Sequence, residues 1–223
     1  MENISTIKII ENFISPQTCK YLIDSYKNCF FENENTNENV LAGPSLGLEQ
    51  AWAVSPTNTF PHTDKTDKDM TISSDIFTHV LQSMKYYVSR ESGHEVDLRT
   101  VFLSKMITGA KLQEHYDNYD PDGTPFYPYG TNANVLDKIG FKSDFSALLY
   151  LNDDYTGGEI EFTQYDLKLK PKPGTFIFFK GDMDARHLVH EVKSGERINL
   201  VTFFWESEYR KKYFEELDKQ NQI

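Results

Sequence analysis

The stretch Arg186-His187-Leu188-Val189-His190-Glu191-Val192-Lys193-Ser194-Gly195-Glu196-Arg197-Ile198-Asn199-Leu200-Val201-Thr202-Phe203-Phe204-Trp205-Glu206 decides the fold. β-Branched and aromatic residues fill both of its halves, and Ser194-Gly195-Glu196 supplies turn chemistry between them, so 186–193 and 196–206 read as strands. Working outward, the runs 100–108, 111–117, 144–151, 159–163, 165–169 and 174–179 have the same character. Gly157-Gly158 permits positive φ in a tight connection, and Pro171 with Gly174 shapes the turn before a buried strand. Ahead of these strands the periodicity is helical. Ser15 caps and Pro16 opens a helix over 15–29, with Cys19, Leu22, Ile23 and Tyr26 at helical spacing. Ile76, Val80, Met84 and Tyr87 mark a second helix over 74–90. Helices followed by about eight short strands predict a mainly β chain, a sandwich or barrel with helices packed outside. One domain, 1–223, is expected, with helical support to about residue 95 and a β core over about 98–207.

Composition narrows the partners. The chain of 223 residues is 39% apolar and 14% aromatic, an ordinary globular balance. Its net charge of −11 argues against a nucleic acid or an anionic membrane held by a basic face. No apolar run suits a membrane span, and Met1-Glu2-Asn3-Ile4 has neither part of a secretory signal. Cys19 and Cys29 form no metal spacing and need no disulfide, so a reducing cytoplasm is the expected location. Residues 31–70 are polar; Asp64-Lys65-Thr66-Asp67-Lys68-Asp69 lacks the glycine and terminal glutamate of a calcium loop and reads as solvated surface. Oligomeric state leaves no trace in the sequence.

The chemistry gathers at three places. His115 and Asp117 stand two apart in a strand-like run, which turns imidazole and carboxylate to one face. A third donor is available far along the chain in His187 or His190, and these two face opposite sides of a regular strand. Two histidines and one carboxylate on a sheet form a facial triad with open positions, the arrangement of non-haem Fe(II) oxygenases. Ten residues after His187, Arg197 opens the apolar run Ile198–Trp205. A permanently charged planar fork at the head of a buried strand needs a partner, and a dicarboxylic cosubstrate supplies one. On a regular strand Arg197, Asn199, Val201, Phe203 and Trp205 share a face, which puts the arginine in one cavity with the aromatics.

These pieces, in this order, resemble the 2-oxoglutarate and Fe(II)-dependent dioxygenases, most nearly the prolyl 4-hydroxylase catalytic-domain group. The matching residues are His115-Tyr116-Asp117, Tyr150-Leu151-Asn152-Asp153 running into Gly157-Gly158-Glu159-Ile160-Glu161-Phe162, Pro171 through Phe179, and His187 through Arg197 into Phe203-Phe204-Trp205. The resemblance implies a double-stranded β-helix, or jelly roll, with the N-terminal helices packed on its major sheet. It implies metal ligands His115, Asp117 and His187, the last selected by its spacing to Arg197, with Arg197 and Asn199 on the cosubstrate side. Fe(II), 2-oxoglutarate and O₂ follow as cofactors, with ascorbate as a possible auxiliary. The implied reaction hydroxylates a C–H bond, on a prolyl residue of a peptide or protein first and on a small molecule or another side chain otherwise. Met106 and Leu149 stand where relatives carry tyrosines that help hold the cosubstrate, and Arg197 stands where collagen-type enzymes have lysine. Two other readings use the same residues: a hydrolytic zinc site with His₂Asp ligation, and a non-catalytic metal-binding jelly roll.

Residues 118–142 interrupt the strands with Tyr119, Phe126, Tyr127 and Tyr129 among prolines and glycines. Starting one residue past Asp117, this segment is expected to be an aromatic substrate lid.

Overall fold

The computed structural model describes residues 6–30, 48–51, 67–120, 122–125 and 132–221. In chain order the elements are β1 (Ile7–Ile10), α1 (Pro16–Phe30), β2 (Leu48–Ala51), α2 (Asp67–Ser92), β3 (Val96–Met106) and β4 (Leu112–His115). They continue with α3 (Ala133–Ile139), β5 (Phe145–Tyr150), β6 (Thr156–Gly157), β7 (Ile160–Phe162), β8 (Leu167–Leu169) and β9 (Phe176–Lys180). The chain closes with β10 (His187–Val189), β11 (Val192–Ser194), β12 (Arg197–Glu206) and α4 (Ser207–Asn221). Six strands form an antiparallel major sheet in the order β1-β9-β5-β12-β3-β2. Four form the minor sheet, β4-β10-β7-β8, and β11 pairs with β6. This is the mainly β jelly roll with flanking helices that the family resemblance implies.

The two faces of the major sheet have different tasks. Its outer face packs on α1 and α2: Cys19, Leu22, Phe77, Val80, Met84 and Val88 meet Leu103, Ala147, Leu149, Phe178, Leu200 and Phe204 in one buried cluster. Each large side chain there contributes about 2–5 kcal/mol by the cost of truncating it to alanine. The inner face meets the minor sheet through Tyr150, Ile160, Phe162, Ile177 and Phe179. The predicted helix start holds, since the Ser15 hydroxyl accepts the Thr18 N–H at 3.1 Å. Cys19 is a buried free thiol; the side chain of Cys29, and the calcium-loop candidate up to residue 66, lie outside the described residues.

Several expectations change. The run 186–193 is two strands, not one, because the chain breaks after Val189 and resumes at Val192 in a different sheet. The second helix starts seven residues earlier than its apolar periodicity, at Asp67. β1 was not among the expected strands, and it completes the major sheet by pairing Ile7–Ile10 with Phe179–Phe176. Among the described residues no helix is long and apolar enough to cross a membrane.

Candidate active site

His115 is the last residue of β4 and His187 the first of β10, and the two are direct cross-strand partners. Opposite residues on one sheet face approach closely, and here the imidazole centroids are 4.4 Å apart. Asp117 lies past the end of β4, so it does not share a strand with His115 as the i, i+2 argument assumed. The backbone beyond the strand brings it to the same point: Asp117 Oδ1 is 3.5 Å from His115 Nε2 and 3.9 Å from His187 Nε2. One donor atom from each residue falls within 4.8 Å of the others.

Neighbouring groups fix which atoms face inward. His115 Nδ1 lies 2.7 Å from the Gln113 carbonyl and His187 Nδ1 lies 2.9 Å from the Ala185 carbonyl. A carbonyl only accepts, so each Nδ1 donates its proton and each Nε2 keeps its lone pair for a metal. Burial would raise the Asp117 pKa, but the charges of His187 and His115, with a Ser146 hydroxyl, hold the carboxyl well below the usual carboxylate range. Burial pushes the His187 imidazole down to about 4. At His115 burial disfavours the cation, yet contact with the Asp117 carboxylate outweighs it and the pKa rises. The site therefore offers one neutral imidazole, one imidazole whose cation the carboxylate favours and whose proton a metal must displace, and one carboxylate.

The chain after Asp117 is pinned. Asn118 is buried, its Oδ1 accepts the Asp144 N–H at 2.8 Å, and its own N–H donates to the Gly181 carbonyl at 3.1 Å. A Cβ at Gly181 would lie 2.6 Å from Asn118 Oδ1 and 3.3 Å from Asp117 Cβ, so only glycine lets β9's exit pass behind the carboxylate. His190 stands apart from the triad, with Nε2 2.6 Å from Glu161 Oε2; the break after Val189 removes it from the strand that presents His187.

Arg197 is 2% exposed. Its Nη2 donates to Tyr150 Oη at 2.9 Å, its Nη1 contacts Met106 Sδ at 3.3 Å, and its Nε has no partner among the described residues. In the amide orientation that satisfies both of its ends, Asn199 Oδ1 accepts from both Nη groups at 3.1 and 3.0 Å. Asn199 thus orients the guanidinium. Tyr155 Oη is buried beside Arg197 with no hydrogen-bond partner among the described residues, and burial pushes that phenol up to about 12 against the pull of the Arg197 charge. Gly158 leaves the room: a Cβ there would come within 3.0 Å of the Tyr155 ring and 3.1 Å of Arg197 Cδ.

The tyrosine missing at 149 has a physical explanation. Leu149 points to the helical side of the major sheet, so no side chain at 149 reaches the site. Its neighbour Tyr150 points inward and meets Arg197. Tyr150 and Tyr155 are the residues that sequence reasoning missed. The alternation of β5, read one residue further, carried the signal for Tyr150; nothing local marked Tyr155. β12 departs from regular alternation at its far end. Phe203 lies under the Arg99 guanidinium at 5.1 Å, and Trp205 is covered by Val135 and Leu136 of α3 and Tyr213 of α4. Neither aromatic shares the Arg197 pocket.

The expected lid divides. Tyr119 is half-buried and forms an isolated bridge with Pro125. Residues 133–139 are helix α3, capped by Asn132 and ended by left-handed Gly140, and packed on α4 as part of the wall. Phe126, Tyr127 and Tyr129 lie outside the described residues.

The donor set fits Fe(II): two imidazole nitrogens and a carboxylate, converging with their outer atoms restrained. The two orphan donors, Arg197 Nε and Tyr155 Oη, fit the carboxylate end of a dicarboxylic cosubstrate.

Residues 101–205 match the family model of the 2OG-Fe(II) oxygenase superfamily. Human prolyl 3-hydroxylase 2 is 42% identical over 66 residues, which is 27% of this chain and 9% of that protein. Tet-like dioxygenase 1 of Naegleria gruberi is 36% identical over 77 residues, 34% of this chain and 24% of that one. The chain thus aligns with only a small part of these relatives. Among solved structures, viral collagen prolyl hydroxylase from Paramecium Bursaria Chlorella virus-1 superposes with a TM-score of 0.60 at 19% identity, covering 89% of this chain and 94% of that one. A Trichoplax adhaerens prolyl hydroxylase, solved with a hypoxia inducible factor peptide fragment, gives 0.60 at 15% identity over 94% and 87%. At such identities the likeness is one of fold.

Proposed function

We propose that this chain, which carries a 2OG-Fe(II) oxygenase domain over residues 101–205, hydroxylates a C–H bond of a prolyl residue in a peptide or protein while converting 2-oxoglutarate to succinate. One observation carries the reading: three metal donors lie within 4.8 Å of one another, and the charge of a buried arginine, whose Nε has no partner among the described residues, reaches one of them, His187. A hydrolytic zinc site has no use for that arginine.

Fe(II) would be held by His115 Nε2, His187 Nε2 and an Asp117 oxygen, and when bound it supplies the electrons that let O₂ react as 2-oxoglutarate is decarboxylated. The rest is the protein's work. Gln113 and Ala185 hold the imidazoles in the tautomer that ligates. Arg197, braced by Tyr150 and Asn199, supplies a charged fork for the distal carboxylate of the cosubstrate. Phe162 and Phe179, with ring centroids 5.6 and 5.0 Å from His187, keep the inner side of the centre dry.

Succinate formation tests the reading. Purified protein with Fe(II), 2-oxoglutarate and air is expected to produce succinate, faster with a proline-containing peptide, and the peptide to gain one oxygen. Stimulation by small molecules and by no peptide would move the substrate class. No succinate with any of them would refute the oxygenase reading.

A further inference from the structure

One charged group near the metal donors has no part in binding metal or cosubstrate. The register of β12 against β3 shifts between Phe203, opposite Thr100, and Phe204, opposite Leu98, so Arg99 has no cross-strand partner. Such a bulge re-aims a side chain. Leu98 packs toward the helices, whereas Arg99 lies over the Phe203 ring at 5.1 Å and donates its Nε to Asp144 Oδ2. Asp144 is fully buried and Arg99 is 12% exposed. Both sit beside the metal donors. The Asp144 N–H is bonded to Asn118, next to Asp117, and Phe203 pairs with Ser146, whose Oγ lies as near Gly181 as Asp117 Cβ does. Arg197 is six residues away along β12, about 20 Å at about 3.3 Å per residue. Arg99 therefore marks the end of the site away from the cosubstrate arginine.

Of the five N–H donors of this guanidinium, the one on Nε is used; among the described residues Nη1 and Nη2 hydrogen-bond to nothing. A fork clamped on one edge by a carboxylate and on its face by an aromatic ring is preorganised, so little is lost when its free edge binds. The acceptor it suits is neutral, because the Asp144 carboxylate already balances its charge. The nearby turns add negative charge: Asp120 and Asp122 on one, Asp182 and Asp184 on the other, with Met183 Sδ 3.6 Å from where a Gly123 Cβ would stand. A free carboxylate would meet repulsion there, while an amide carbonyl would not.

We propose that Arg99 is a substrate-orienting residue whose Nη groups take a main-chain carbonyl of the peptide, at a mouth that favours basic flanking side chains. The assignment rests on the peptide reading above and gives it a specificity. The test uses fluorescein-Lys-Ala-Pro-Ala-Lys-amide and its glutamate-flanked counterpart, with protein holding Mn(II) and 2-oxoglutarate and binding followed by anisotropy. The lysine peptide is expected to bind wild type about tenfold tighter than the glutamate peptide. Arg99→Lys keeps a charge for Asp144 but loses the fork, and should weaken lysine-peptide binding about tenfold while the 2-oxoglutarate affinity stays within about twofold. The double variant Arg99→Gln/Asp144→Asn removes the buried ion pair as a unit and should lose as much peptide affinity with its unfolding transition retained. Equal binding of the two peptides, preference for glutamate, wild-type peptide affinity in Arg99→Lys, or an equal loss of 2-oxoglutarate affinity would each overturn the assignment. Succinate production by wild type, measured on the same preparation, is scored separately: its absence refutes the oxygenase reading, whereas loss of peptide preference refutes only the role of Arg99.

Discussion

At the scale of the residue, the site works by leaving particular atoms unsatisfied. Arg197 Nε and Tyr155 Oη are buried with no hydrogen-bond partner among the described residues, and such an orphan costs about 1–3 kcal/mol. Arg197→Ala removes the fork, and we expect the KM for 2-oxoglutarate to rise at least about tenfold with Mn(II) affinity nearly unchanged; steady-state kinetics and a metal titration read the two separately. The histidines set the pH response. His187 stays neutral down to about 4, so it does not gate metal binding near neutrality. His115 has a raised pKa and must lose its proton to ligate. Mn(II) affinity is therefore expected to fall by about tenfold per pH unit once pH drops below the folded pKa of His115, which lies above its ordinary 6.5. Calorimetry across pH 5–8 checks this, and a pH-independent affinity would contradict the assignment of His115 as a ligand. The clustering of His115, Asp117 and His187 and the burial of Arg197 were legible because few residue types hold a metal or a carboxylate and their spacing is distinctive. Tyr150 was missed by one residue of strand register, and a one-residue slip exchanges the faces of a strand.

At the scale of the element, local patterns foretold type better than ends. The Ser15 cap and the strands β3, β5, β9 and β12 follow from residues that lie next to one another. The split of 186–193 into β10 and β11 does not, because it depends on which sheet each half joins. The same holds for Trp205: alternation places it with Arg197, but α3 and α4, neither of them read from the sequence, close over it. Trp205→Ala should cost about 3–5 kcal/mol in denaturant unfolding, since it empties the space between β12 and the two helices. The metal affinity of that variant should match wild type; a large loss of it would mean that the helical cluster and the metal donors are coupled.

At the scale of the molecule, the architecture divides labour. The outer face of the major sheet and its helices carry the apolar packing, which leaves the inner face free to hold charge: Arg197 at one end, Arg99 with Asp144 at the other, and the metal donors on the facing sheet. The composition carries the expectation of one acidic domain, with a net charge of −11. How the two sheets oppose each other was visible only through the family resemblance, because pairings such as β10 with β4 join residues some 70 positions apart, and no local pattern records them. The central claim is that this inner face binds Fe(II) and 2-oxoglutarate together. Adding both anaerobically to the wild-type protein tests it most directly. A weak visible charge-transfer band that needs both components, and that is lost in His187→Ala but kept in His190→Ala, is the predicted result. No band with wild type, or a band that survives in His187→Ala, would contradict it.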